Sequence, residues 1–163
     1  MNANAFRHFY NYHFSENRKV WEHVAALPFE QFRQPAGYSQ GSIRDQIIHL
    51  LEVEDVWFSG LRGAQPVEPI SASTADERVL IRTHWDKVEE NIRAYLAALQ
   101  DETLFSKPIK EPEEDKDLMV WQVLLQVANH ATDHRAQILR ALHDLGAKTE
   151  SQDYIFYAYE NPM

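Results

Sequence analysis

The sequence predicts an all-α protein, a four-helix bundle formed by a single domain that spans residues 1–163. Four long segments repeat apolar residues with the period of an amphipathic helix, whereas only two short stretches favour a strand. A chain of 163 residues, 44% of them hydrophobic and 25% charged, can bury one core of its own. Four long helices in one domain pack most simply as a bundle.

Residues that ordinarily stop or start a helix bound the first two of these segments. The first helix is predicted over about Ala5–Leu27, and Pro28 ends it because proline cannot continue the backbone hydrogen-bond pattern. The second helix is predicted over about Ser42–Leu61. Ser42 and Asp45 have the spacing at which each side chain caps the other residue's backbone amide, which fixes the start of this helix.

The third and fourth helices carry similar signals. The third is predicted over about Thr74–Leu99, and Thr74-Ala75-Asp76-Glu77 at its start has the pattern of a capping box. The fourth is predicted over about Leu118–Leu145, with Asp117 as the residue that caps its start. Gly146 follows directly and can close the helix in a left-handed conformation.

The connectors between these helices are long, and the strand signal is weak. Pro28–Gly41, Arg62–Ser73 and Gln100–Asp117 each exceed the length of a minimal bundle connection, which leaves room for crossovers or lids. Strand candidates are limited to Phe105–Lys110 and the aromatic tail Asp153–Tyr159, so we expect a short extended C-terminal tail. That tail either packs across its own bundle or docks on a partner or a second copy.

Composition excludes several classes of protein and site. A net charge of −9 without clustered lysine and arginine argues against binding to nucleic acid. The absence of cysteine excludes disulfides, zinc–thiolate sites and a thiol nucleophile from this chain. The first residues lack the pattern of a signal peptide, and no apolar run approaches the roughly 20 residues that span a bilayer. We therefore expect a soluble cytoplasmic protein that does not bind membranes.

The clearest indication of chemistry is the pair His130 and His134 in the fourth helix. Side chains four residues apart leave the same face of a helix, so both imidazoles can bind one metal ion. Both also lie on the apolar stripe, where an unpartnered polar ring is costly. His49 lies at the flank of the apolar face of the second helix, a position that permits a third ligand without requiring one. Three imidazoles would leave an open coordination position, which is typical of catalytic metal sites.

Other polar residues on the apolar faces leave alternatives open. His13 could be a fourth ligand, although a core histidine bonded to a neighbour is the commoner arrangement. Glu54 could orient a ligand histidine or act as a general base, but a salt bridge at the edge of the bundle is the commoner case. Asp133 is expected to be solvated or to pair with Arg135 or another neighbour. The histidine pair itself could also consist of ordinary surface or hydrogen-bonded residues.

Several segments together resemble the DinB family of DinB/YfiT-like proteins. The matching pieces are Tyr12–Asn17 in the first helix, Tyr38–Ile43 leading into Ile48–Leu51, and Asn129–Ile138 in the fourth helix. The resemblance extends over nearly the whole chain, and its most specific piece is the fourth-helix segment together with a histidine on the second helix.

The resemblance implies a four-helix bundle in which three histidines hold a divalent metal ion. Zinc and nickel are the ions expected before any others. Carried over to the matching positions, the ligands are His49, His130 and His134. Family members are often homodimers, so a homodimer is expected here as well. Whether His13 or Glu54 supports the site is left open at this point.

The resemblance also implies a class of reaction. Relatives include transferases that use low-molecular-weight thiols, and a chain without cysteine fits a reaction in which the cosubstrate supplies the nucleophile. We therefore expect a metal-dependent enzyme acting on a small molecule, such as a thiol-dependent transferase. A metal-dependent hydrolase and a non-catalytic small-molecule-binding or stress-response protein are the alternatives.

Overall fold

Four long helices form the bundle, as predicted, and the connectors and the C-terminus add two short helices. The computed structural model describes residues 1–71 and 75–162, which contain no β-strand beyond an isolated bridge between Pro35 and Ser42. The α-helices are α1 (Ala3–Ala25), α2 (Phe29–Arg33), α3 (Ile43–Arg62), α4 (Arg78–Ala98), α5 (Val120–Asp144) and α6 (Tyr154–Glu160). Over the described residues, no helix is both long enough and apolar enough to cross a membrane.

Helices α1 and α4 run antiparallel, and bonds at both ends of the pair show this. Near the start of α1, Arg7 donates to the backbone oxygens of Leu96 and Leu99 at the end of α4, at 2.8 and 3.0 Å. Near the start of α4, Arg78 donates to the backbone oxygen of Leu27, just after α1, at 2.6 Å. The start of each helix therefore lies beside the end of the other.

Helices α3 and α4, by contrast, run parallel. At their starts Arg44 forms an ion pair with Glu77 at 2.6 Å, and near their ends the ring of Phe58 packs against that of Tyr95. Because α3 has 20 residues at about 1.5 Å per residue, the connector 63–77 must return over roughly 30 Å. The long connector is therefore a crossover, one of the two roles that its length allows.

The predicted helix ends agree with the structure at α3 and differ at two other helices. Ser42 and Asp45 form the predicted capping box, with the Asp45 amide donating to Ser42 Oγ at 3.2 Å. The prediction that Asp117 caps α5 is wrong, because the helix begins at Val120 and its first turn is closed by Gln122. Helix α4 begins at Arg78, and Thr74, the start expected for it, lies outside the described residues.

The prediction of an extended C-terminal tail is wrong, since residues Tyr154–Glu160 form helix α6. Tyr154 and Tyr157, three residues apart, lie on one face of α6 and pack against aromatic side chains of α1. The ring centroids of Tyr154 and Phe9 are 5.6 Å apart, and those of Tyr157 and Tyr12 are 5.7 Å apart. Packing of both rings against α1 needs the helical period, which outweighs the strand preference of aromatic residues. The tail therefore packs on its own bundle.

The other strand candidate, Phe105–Lys110, is also wrong. Phe105 ends a 3₁₀ turn, and the residues after it are irregular. Ile109 alone of this segment is buried, and its side chain lies against Gly60 of α3. One buried contact per six residues does not make the alternating face on which a strand depends.

Candidate metal centre

The structure brings the three predicted histidines together between α3 and α5. The ring centroid of His49 lies 5.1 Å from that of His130 and 4.7 Å from that of His134, and the latter two centroids are 4.4 Å apart. One nitrogen from each ring lies within 4.8 Å of the others. Three nitrogens around one tetrahedral zinc ion, each at about 2.1 Å, would be about 3.4 Å apart. The three histidines are therefore positioned to bind a metal ion.

The helix pairing explains why these residues meet. His130 and His134 are one turn apart on α5, so their rings stack along the same face. His49 lies on the flank of α3 that faces this pair. The two helices run antiparallel, as is shown by a cavity that both Ile43, at the start of α3, and Leu145, just after α5, line. His134 is buried, while His49 and His130 are half-buried. The cluster is thus closed towards the core and open to solvent on one side.

The environment of the cluster favours the neutral form of two of its rings, those of His130 and His134. Burial lowers the pKa of His130, and the neighbouring rings of His134 and His49 lower it further. Burial also lowers the pKa of His134, again with His49 contributing. Neutral imidazoles have the free nitrogen lone pair that a metal ion requires.

One atom of the cluster fits a metal site in a further way. Nδ1 of His134 is buried and has no hydrogen-bond partner among the described residues. A buried polar atom of this kind costs free energy unless a ligand or a conformational change gives it a partner. Three imidazoles that lie close together, one of them with an unpaired ring nitrogen, therefore fit a divalent ion, and zinc, nickel, iron and copper all accept such ligands.

His13 is not available as a fourth ligand, because both of its ring nitrogens already have partners. Nε2 lies 2.9 Å from Oε1 of Glu54, and Nδ1 lies 3.1 Å from a guanidinium nitrogen of Arg135. Arginine can only donate, so Nδ1 accepts and Nε2 carries the proton that is donated to Glu54. The ring is therefore neutral, in agreement with burial, which lowers the pKa of His13 more than Glu54 raises it.

Glu54 is fully buried in the middle of the bundle, so the expected salt bridge at the bundle edge is wrong. Its carboxylate accepts from His13, from Asn17 at 3.1 Å and from the indole of Trp85 at 3.3 Å. Burial raises the pKa of Glu54, but these bonds and the nearby positive charge of Arg135 outweigh it and the net pKa is lowered. Glu54 therefore stays ionised, and it bonds to helices α1 and α4 rather than to a histidine of the cluster.

Arg135 is the residue that sequence reasoning missed. It is fully buried directly after His134, and it donates to Asn17 Oδ1 at 2.9 Å, to Thr132 Oγ1 at 3.0 Å and to Gln152 Oε1 at 3.0 Å. Asp133 bonds to another residue of α5 instead of pairing with Arg135. A signal existed, because position 135 falls on the same stripe as the apolar residues one turn before and after it.

His13, Asn17, Glu54 and Arg135 form one buried polar network, which we call the central network. It joins α1, α3 and α5 behind the three histidines, and its one full positive charge is balanced by its one full negative charge. Each member is bonded, so the cost of burying these groups is largely offset. The network fixes how α5 sits against α3, and this in turn sets the spacing of the histidines.

Glu54→Ala is expected to lower the free energy of unfolding by about 3–5 kcal/mol, since it removes a buried carboxylate with three bonded partners and a negative charge that stabilises the buried Arg135. Urea denaturation of the metal-free protein measures this value. Glu90→Ala is the matched control, because Glu90 is exposed and its pair with Lys87 contributes at most about 1 kcal/mol. A loss for Glu54→Ala no larger than that of the control would contradict a central role for this carboxylate.

His13→Gln is expected to flatten the dependence of stability on pH. Since the pKa of His13 is lowered in the folded state, the unfolded chain takes up a proton near the ordinary value of 6.5 while the folded chain resists it. Because of His13, the folded protein therefore becomes less stable as the pH falls below 6.5. Glutamine does not titrate, so the variant lacks this part of the loss. Urea midpoints of metal-free wild type and variant between pH 7.5 and 5 compare the two slopes, and equal slopes would refute a neutral buried His13.

Comparison with known proteins agrees with this architecture and site. The model of the DinB family matches residues 1–162. A search of curated proteins finds no match to this chain. A family match over nearly the full length, an all-helical bundle and a three-histidine cluster between two of its helices lead to one conclusion: the chain belongs to the DinB family.

Proposed function

We propose that the protein is a divalent-metal-dependent enzyme that transfers a low-molecular-weight thiol to a small electrophilic substrate. The observation that carries this proposal is the cluster of three histidines that is closed towards the core and open towards solvent. A divalent ion held there would supply Lewis-acid chemistry, which lowers the pKa of a protic group that binds beside it. The chain has no cysteine, so the sulfur nucleophile must come from a cosubstrate.

The residues of the chain have separate roles in such a site. His49, His130 and His134 hold the ion through their ring nitrogens, and the half-buried sides of His49 and His130 leave a direction from which a thiol can approach. The central network supports these residues without offering a general base, because Glu54 is used in bonds to His13, Asn17 and Trp85. The proton of the thiol therefore leaves to solvent.

Other expectations from the sequence stay predictions. They are the cytoplasmic location, the homodimer, and zinc or nickel as the resident ion. The same histidine cluster would also suit a metal-dependent hydrolase or a metal-stabilised binding protein, and the two experiments below separate these functions from thiol transfer.

Wild-type protein is expected to bind about one divalent ion per chain, and His130→Ala to lose it, because two imidazoles hold an ion much less tightly than three. Elemental analysis after mild purification without a tag and equilibrium dialysis with zinc or nickel measure the stoichiometry. An ion at about 100 times its Kd should also raise the free energy of unfolding by roughly 2.7 kcal/mol. His143→Ala, which removes an exposed histidine of α5, is the control and should keep the ion. Wild type that binds no ion would overturn the proposal.

Thiol transfer is tested with metal-loaded protein, a panel of low-molecular-weight thiols and 1-chloro-2,4-dinitrobenzene as the electrophile. In the expected reaction a carbon–sulfur bond forms, the carbon–chlorine bond breaks, chloride leaves with the electron pair, and the thiol proton goes to solvent. The rate should saturate with thiol, and His134→Ala should fall to the rate of metal-free wild type. Hydrolysis of an ester without added thiol would favour a hydrolase instead, and no turnover in either assay would favour a binding protein.

A further inference from the structure

Unpaired polar atoms in the core are concentrated beside the metal centre. Among the described residues, four buried side-chain nitrogen and oxygen atoms have no hydrogen-bond partner. Three of them belong to just two residues, because both amide atoms of Gln46 and Nδ1 of His134 are unpaired. Each unpaired buried group lowers the stability of the fold, because it has lost its hydrogen bonds to water without gaining others. Gln46 is completely buried, so water at the surface does not offset this cost.

Gln46 and His134 lie on the facing flanks of α3 and α5. Gln46 precedes His49 by three residues, which places it one turn earlier and about 60° further towards the core. His49 contacts His134, and Ile43, one turn before Gln46, shares a cavity with Ala141 of α5. The helical register therefore places Gln46 between these two contacts, on the side of α3 that faces α5.

The chemistry of a metal-binding histidine supplies the missing partner. When one ring nitrogen holds an ion, the other carries a proton and donates it, usually to an oxygen atom that fixes the orientation of the ring. Nδ1 is the nitrogen nearer the helix backbone, and in His134 it is the buried one. Nε2, at the far end of the ring, is then the nitrogen that faces the ion. The amide oxygen of Gln46 lies in the same interface between α3 and α5, and it is a hydrogen-bond acceptor that lacks a donor.

We propose that Gln46 is a positioning residue of the metal centre, whose amide oxygen accepts the Nδ1 proton of His134 and holds that ring with Nε2 towards the ion. This inference rests on the proposed metal-dependent function and adds a fourth residue to the site. It also explains why a buried amide is kept in an apolar interface, since the amide stabilises the metal-bound form and not the metal-free form.

The proposal predicts opposite effects on the two forms when the amide is removed. Gln46→Leu replaces an unpaired amide with an apolar side chain of similar size, so the melting temperature of the metal-free protein should rise. The same change removes the acceptor for His134, and the loss of such a partner typically weakens metal affinity by about 10- to 100-fold. A residue that only packs the core would change both properties in the same direction or leave the affinity unaltered.

The experiment measures zinc affinity by competition with a chromophoric chelator, together with the melting temperature of the metal-free proteins. Gln46→Glu is the rescue variant, because a carboxylate also accepts from Nδ1, and it should bind zinc within about threefold of wild type or more tightly. Gln137→Leu is the matched control, since Gln137 lies on α5 near the cluster but has Asp133 as a partner. This control should keep wild-type affinity.

Three results would overturn the proposal. They are Gln46→Leu with the zinc affinity of wild type, Gln46→Leu with both a lower melting temperature and a weaker affinity, and Gln46→Glu as weak as Gln46→Leu. These failures differ from failure of the proposed function itself. If wild type binds zinc and Gln46→Leu binds it equally well, only the role of Gln46 is refuted, whereas wild type that binds no ion refutes both.

Discussion

The burial of Arg135 is the constraint on which the rest of the structure depends. A guanidinium in the middle of a helical bundle is too costly without a counter-charge and bonded partners, so other helices must bring polar groups to its level. Helix α1 supplies His13 and Asn17, and α3 supplies Glu54. Sliding any one of these helices by a single turn would break several of these bonds, which makes the axial register of the bundle nearly unique.

This register has a direct consequence for the neighbouring site. His134 precedes Arg135, and His49 is five residues before Glu54, so the same alignment that satisfies the central network brings the three imidazoles within 4.8 Å. The histidines lie close together and are accessible from one side, so the cluster is positioned to bind a metal ion. The family match is consistent with this helical architecture but leaves the reaction to experiment.

Local signals in the sequence predicted the four long helices and the histidine pair, because periodicity and four-residue spacing are properties of a single helix. His49 followed from the family resemblance, since its flank position alone permitted several roles. The apolar stripe indicated that Arg135 is buried, but the partners of Glu54 and Arg135 depend on which helices are neighbours, and no local pattern encodes that pairing. The C-terminal tail was misjudged for the same reason, because its helix is stabilised by rings on α1 that lie more than 140 residues earlier in the chain.

The C-terminal segment also affects the order in which the chain folds. Gln152 accepts from Arg135 and donates to the backbone of Thr132, while Tyr12 donates to its backbone oxygen. The central charge therefore has all of its partners only when the first helix and the last residues of the chain are both in place. Contacts of such long sequence separation favour late, cooperative folding over stepwise growth from the N-terminus. A ribosome must release the chain at least as far as Gln152 before the buried Arg135 can gain all of these partners.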